Sequence, residues 1–343
     1  MRLPVENLRS SFLVTLLAAL LAGCGGGDDE ETTAAEPAKR AIKVALVTDV
    51  GQLNDRGFNQ LAYEGLKRAE KELGIQIRVA QSRSAADYVP NHTTLARQGY
   101  DLVIGVGFAQ GDAVAEAATK LPNSRFAIVD VDQAALEGKP KNVVGLLFRE
   151  EQAGYLAGVL AGLSVRPGRP PMVGSVGGYK EPPVDRFIAG YQAGAKWVKP
   201  QVRTLNGYSS DWDDQAKCKE IALSQISRGA SVVFQVAGGC GLGALDAAEE
   251  RKVWGIGVDA DQSFLGRHVL TSALKRVDEA VFQTIKSVVD GDWRGGRNLV
   301  FGLDQDGVGL GKISAEVPEE HRRKLDEARQ KILSGEIDVP KSL

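Results

Sequence analysis

The chain has 343 residues, 43% of them hydrophobic, which is enough to bury the core of two domains or of one two-lobed fold. Lys and Arg number 42 against 44 Asp and Glu, and this balance, a net charge of −2, leaves no basic footprint for nucleic acid. His92, His268 and His321 lie far apart, and Cys24, Cys218 and Cys240 complete the soft ligands, so no zinc site and no cofactor is expected.

Arg2 and Arg9 precede an apolar run from Phe12 to Leu21, too short for the ~20 residues of a membrane span. Leu21-Ala22-Gly23-Cys24 then supplies the small residues and cysteine of lipoprotein processing. Residues 1–23 therefore read as a signal peptide and Cys24 as the lipidated start of the mature chain. Residues 24–41 hold no large apolar side chain and are expected to form a flexible tether. This places the remainder on the extracytoplasmic face of the cell membrane.

Ile42 to Val50 reads as a buried strand, followed by a helix from Phe58 to Leu73 with apolar residues at Leu61, Ala62, Leu66 and Ala69 and a stop at Gly74. A strand at Ile75–Ala80, a helix at Asn91–Gln98, a strand at Leu102–Gly107, a helix at Gly111–Lys120 and a strand at Phe126–Asp130 continue the alternation. After a helix at Glu150–Leu163 the rhythm restarts. Strands near Met172–Val176, Val202–Tyr208, Val232–Val236 and Val253–Val258 are separated by helices near Phe187–Trp197, Gln215–Arg228 and Leu242–Arg251. The last stretch reads as a long amphipathic helix at Leu270–Val289, a β-hairpin within Asn298–Ile313 and a helix at Glu316–Leu333.

Two consecutive βαβ series predict an α/β fold of two Rossmann-like lobes with parallel sheets and a hinge. A local echo supports the duplication: Asp130-Val131-Asp132-Gln133 matches Asp259-Ala260-Asp261-Gln262, each just past a strand's carboxyl end, where open α/β sheets bind ligands. The turn Asp49 to Gln60 gathers carboxylates, glycines and Phe58 at another strand end. On the residues alone, Asn54 or Asp55 reads equally as a helix cap and Phe58 as a staple against the core. Gly239-x-Gly241-x-x-Ala244 with Asp259 downstream also fits the dinucleotide fingerprint, so an NAD-dependent oxidoreductase is the alternative, and a surface receptor or adhesin on the same fold a further one.

The Thr48-Asp49-x-Gly51 opening, with Asp55-x-Gly57-Phe58-Asn59-Gln60, resembles the signature of the basic membrane protein family of substrate-binding lipoproteins. Gly105-Val106-Gly107-Phe108, Ala153 to Gly158, Val233-Phe234 with Ala237 to Gly241, Gly257 to Gln262, and Thr271 to Val277 are similar to its later motifs, in the same order. The resemblance implies a type I periplasmic binding protein fold that is not an enzyme and acts as a monomer. Its ligand, in characterised members a purine nucleoside, would be passed to the membrane permease of an ABC importer. It further implies that Phe58 and Phe234 stack on the base, Asp49 and Asn59 bond its edge, Asp259 and Lys275 hold the ribose, and Gly238 and Gly239 let backbone approach the ligand, with Asp132 and Asp261 as additional candidates. The lobes are expected at 42–147 with 270–297 and at 148–269 with 298–343. Cys240 departs from the family's usual Thr or Ser. Because Cys218 starts the preceding helix at the same sheet edge, a Cys218–Cys240 disulfide bracing a binding loop is expected.

Overall fold

The computed structural model describes residues 40–168 and 170–343. Cys24 and the expected signal peptide, with nearly all of the tether, lie outside the described residues. The first series comprises β1 (Lys43–Val47), α1 (Phe58–Leu73), β2 (Gln76–Ala80), α2 (Tyr88–Arg97), β3 (Leu102–Val106), α3 (Gly111–Lys120), β4 (Phe126–Val129) and β5 (Val143–Phe148). The second comprises α4 (Glu150–Leu163), β6 (Met172–Gly177), α5 (Pro182–Val198), β7 (Arg203–Tyr208), α6 (Gln215–Ser227), β8 (Val232–Val236), α7 (Gly241–Glu250), β9 (Trp254–Asp259) and β10 (Val269–Lys275). The chain then adds α8 (Val277–Val289), β11 (Arg297–Phe301), β12 (Val308–Leu310) and α9 (Glu319–Leu333).

Each lobe is built on a six-stranded sheet, ordered β11-β5-β4-β3-β1-β2 in the first and β12-β10-β9-β8-β6-β7 in the second. All neighbouring pairs are parallel except β10 with β12. Helices cover both faces, which is why β3 and β4 are uniformly apolar, β8 is apolar but for Gln235, and all three are buried throughout rather than alternating. Local chemistry sets the helix ends. Gly74 closes α1 in the left-handed region at φ 64°, and the Asp214 side chain accepts from the amides of Ala216 and Lys217 to open α6.

Two expectations for the last stretch are corrected. Leu270–Lys275 is not the first half of a helix: it is β10, paired in parallel with β9, and the helical period holds only from Val277. Nor do Asn298–Ile313 form a hairpin. β11 joins β5 in the first sheet and β12 joins β10 in the second, so one alternating pattern serves two different sheets. The segment 270–275 thus belongs to the second lobe and 298–301 to the first, against the expected division. The chain crosses between lobes at Arg149, at Arg276 and between Phe301 and Val308. The crossings are tied by Arg149 N donating to Phe301 O at 2.9 Å and Arg276 N to Gly307 O at 2.9 Å, and Phe148 stacks on Phe301.

Candidate functional site

The carboxyl ends of both sheets face one cavity of about 630 Å³ of free space, its mouth included. The first lobe contributes the β1 loop with Asp49 and Gly51, the start of α1 with Asp55, Phe58 and Asn59, the β3 end with Gly107 and Phe108, and Asp130 after β4. The second contributes Glu181 and Phe187, the β7 loop with Trp212 and Asp213, Gly238 and Gly239, Asp259, and Lys275. Such crevices at strand carboxyl ends are the usual ligand sites of open α/β sheets.

Sequence-local chemistry presents several of these groups. The Asp55 carboxylate accepts from the amides of Gly57, Asn59 and Gln60 at 2.9, 2.9 and 3.2 Å, so it is the cap of α1, while Phe58 and Asn59 at the helix start line the cavity. Asp49 accepts from the Val50 amide and the Tyr88 hydroxyl, and burial raises its pKa. A Cβ on Gly107, whose φ is +116°, would stand 2.3 Å from Asp49 Oδ2. Asp130 and Asp259, the first aspartates of the echoed motif, both hold left-handed backbone, at φ 72° and 63°. Non-glycine residues sustain that conformation at a cost where function requires it.

Lys275 is the charge centre. Its Nζ lies 2.6 Å from Asp130 Oδ1 and 3.0 Å from Glu150 Oε1, and 5.1 Å from the Phe58 ring centroid. Burial alone would strip the ammonium of its proton, but Asp130, Glu150 and Asp259 together raise its pKa. The carboxylates pay in the opposite sense. Burial pushes Asp259 up to about 7 despite Lys275, and Glu181 up to about 7 with help from Asp49 and Asp130.

Asp49, Phe58, Asn59, Gly238, Gly239, Asp259 and Lys275 are thus brought together, whereas Phe234, Asp132 and Asp261 are not among the cavity's lining residues. Phe234 is fully buried in the second lobe's core, its ring 5.1 Å from Tyr191 and 6.1 Å from Phe187. Asp132 accepts from Ala134 N at 2.8 Å and Asn298 Nδ2 at 2.7 Å, and Asp261 from Ser263 N at 3.1 Å, so both brace turns. The aromatic rings that the second lobe brings to the cavity are Phe187 and, in the polar stretch Ser209 to Asp214 after β7, Trp212. A lone tryptophan in a polar loop at a strand's carboxyl end was the available signal. Glu181 was also missed, because the helix was expected only from Phe187. The pair Pro182-Pro183 marks the true start of α5.

The expected disulfide joins Cys218 to Cys240, with Cα atoms 5.6 Å apart, and the Cys240 amide donates to Trp212 O at 2.8 Å. In the Gly239-x-Gly241 stretch, a Cβ on neighbouring Gly243 would stand 1.9 Å from the Gln215 carbonyl oxygen. Gly243 thus lets α6 and α7 pack closely, while Gly241 faces the Gln235 side chain and Gly239 the Trp212 carbonyl.

Comparison with known proteins agrees with this geometry. A family model described as ABC transporter substrate-binding protein PnrA-like matches residues 42–342. The ABC transporter nucleoside-binding protein of Lactococcus lactis subsp. cremoris is 36% identical, with 94% of this chain and 95% of that protein covered. The CD4+ T-cell-stimulating antigen of Listeria innocua is also 36% identical, over 94% of each chain. An ABC transporter solute-binding protein from Aeropyrum pernix K1 superposes with a TM-score of 0.80 at 29% identity, covering 87% of this chain and 94% of that one. The chain therefore belongs to the PnrA-like family of ABC transporter substrate-binding proteins, whose role is to hold a small molecule for a membrane permease.

Proposed function

We propose that this protein captures a purine nucleoside between its lobes, is held at the extracytoplasmic membrane surface by a lipid on Cys24, and delivers its ligand by hinge opening at the permease. The observation that carries the reading is the make-up of the cavity, with an aromatic ring from each lobe, Phe58 and Trp212, and polar groups around them. A flat base gains roughly 1–3 kcal/mol for each ring it stacks on. Asp49 and Asn59 serve the base edge; Asp259 accepts from ribose hydroxyls and Lys275 donates to them. The name of the Lactococcus lactis relative supports the same ligand class.

Isothermal titration of the full-length chain in detergent, stripped of carried-over ligand, against inosine, guanosine, adenosine, cytidine, ribose and NAD tests the reading. Tight purine nucleoside binding that Phe58→Ala and Asp259→Ala weaken is the expected result. Binding of ribose alone or NAD alone, or no heat with any nucleoside, overturns the ligand assignment.

A further inference from the structure

Most carboxylates of the cavity have evident structural uses. Asp55 caps α1, Asp49 accepts from Tyr88 and Val50, Asp130 pairs with Lys275, and Asp213 accepts from the Gln52 amide across the cleft at 3.3 Å. Glu181 has none of these. Its side chain makes no hydrogen bond or ion pair among the described residues, and although it stands at the cap position of α5 it does not bond that helix's amides. It comes from the second lobe, and the carboxylates that act on it most, Asp49 and Asp130, come from the first. Asn59 Oδ1, buried and without a partner, lines the same cavity.

Resting on the nucleoside reading, we propose that Glu181 is a specificity-determining residue: with Asp49 it forms a cross-cleft pair of acceptors that a base edge with adjacent N–H donors bridges, selecting guanine over adenine. Guanine offers N1–H and the 2-amino group on one edge, so both carboxylates find donors and their mutual repulsion is relieved. Adenine presents the N1 lone pair beside its amino group. A carboxylate facing that lone pair is left unpaired in a desolvated site, the arrangement that discriminates most strongly between ligands.

The same geometry couples binding to pH. Burial, Asp49 and Asp130 hold the Glu181 pKa at about 7, so the empty cleft carries a proton near neutrality that an N–H donor must displace. Guanosine affinity is then expected to rise from pH 6 to pH 8. The other titratable groups lining this cavity are Asp55, Asp213, Asp259 and Lys275, while Tyr88 stands behind Asp49 and Lys180 pairs with Asp185 of α5. Since Asp259 also titrates near 7, the contribution of Glu181 is the difference in pH slope between wild type and Glu181→Gln.

The experiment is titration of the full-length chain and its Glu181→Gln variant with guanosine, inosine and adenosine at pH 6, 7 and 8. Wild type should favour guanosine over adenosine on the order of tenfold or more. Glu181→Gln should bring that preference near unity and flatten the slope, and Glu181→Asp should restore part of the slope. Phe58→Ala should weaken all three nucleosides alike, which separates lost discrimination from lost binding. If wild type binds no nucleoside, the ligand assignment fails and takes this proposal with it. If it binds them without preferring guanosine, or Glu181→Gln keeps both preference and slope, this proposal alone is overturned.

Discussion

A fully buried lysine is tolerable only with carboxylates in contact, and Lys275 has two within 3.0 Å, one from the β4 end of the first lobe and one from the first turn of α4. Burial, with the same crowding of acids, raises the pKa of Asp259 to about 7. Two aromatic residues separate packing from recognition. Phe234 fills the core against Tyr191, so Phe234→Ala should cost about 3–5 kcal/mol in chemical denaturation with unchanged affinity per folded molecule. Trp212→Ala should leave the denaturation midpoint nearly unchanged and weaken nucleoside binding by roughly 1–3 kcal/mol. The opposite pattern in calorimetric titration would return Phe234 to the site.

Among the helices, α4 and α5 meet through backbone rather than side chains. A Cβ on Gly154, Gly158, Gly190 or Gly194 would stand 2.0–2.1 Å from a carbonyl oxygen of the facing helix. This contact seats α5, which brings Pro183, Val184 and Phe187 to the cavity behind Glu181. Gly158→Ala has to push the helices apart, so a lower melting temperature together with weaker ligand binding is expected, measured by scanning calorimetry and titration. A fall in melting temperature with intact affinity would show that the site does not depend on this contact. The disulfide does comparable work for the β7 loop, because Cys240 also donates to Trp212 O.

For the molecule as a whole, the buried acids set a pH dependence of stability. Glu150, Glu181 and Asp259 have folded pKa values raised to about 7, chiefly by burial, from ordinary values of 4.5, 4.5 and 3.8. A raised folded pKa means that the unfolded chain ionises first. The stability these groups contribute is complete below about pH 4 and is lost as pH rises through 7. The ligand-free protein should therefore melt at a lower temperature at pH 8 than at pH 5.5, and Glu181→Gln should narrow the gap. A melting temperature that rises across this interval would contradict the burial of these charges.

The alternation of strands and helices was legible because hydrophobic period, Gly74 and the Asp49–Asn59 turn are local signals that need no partner to be read. So was the convergence of Asp49, Phe58, Asn59, Asp259 and Lys275, through motif spacing and family resemblance. What only the tertiary structure decided were the roles of β10, β11 and β12, since an alternating pattern names no partner strand, and the inward face of Phe234, since β8 is buried on both sides. It also decided which aspartate of each Asp-x-Asp-Gln turn meets the cavity. Residues two apart share one polar pattern, and the two that line the cavity, Asp130 and Asp259, are the ones held in the left-handed region, at φ 72° and 63°.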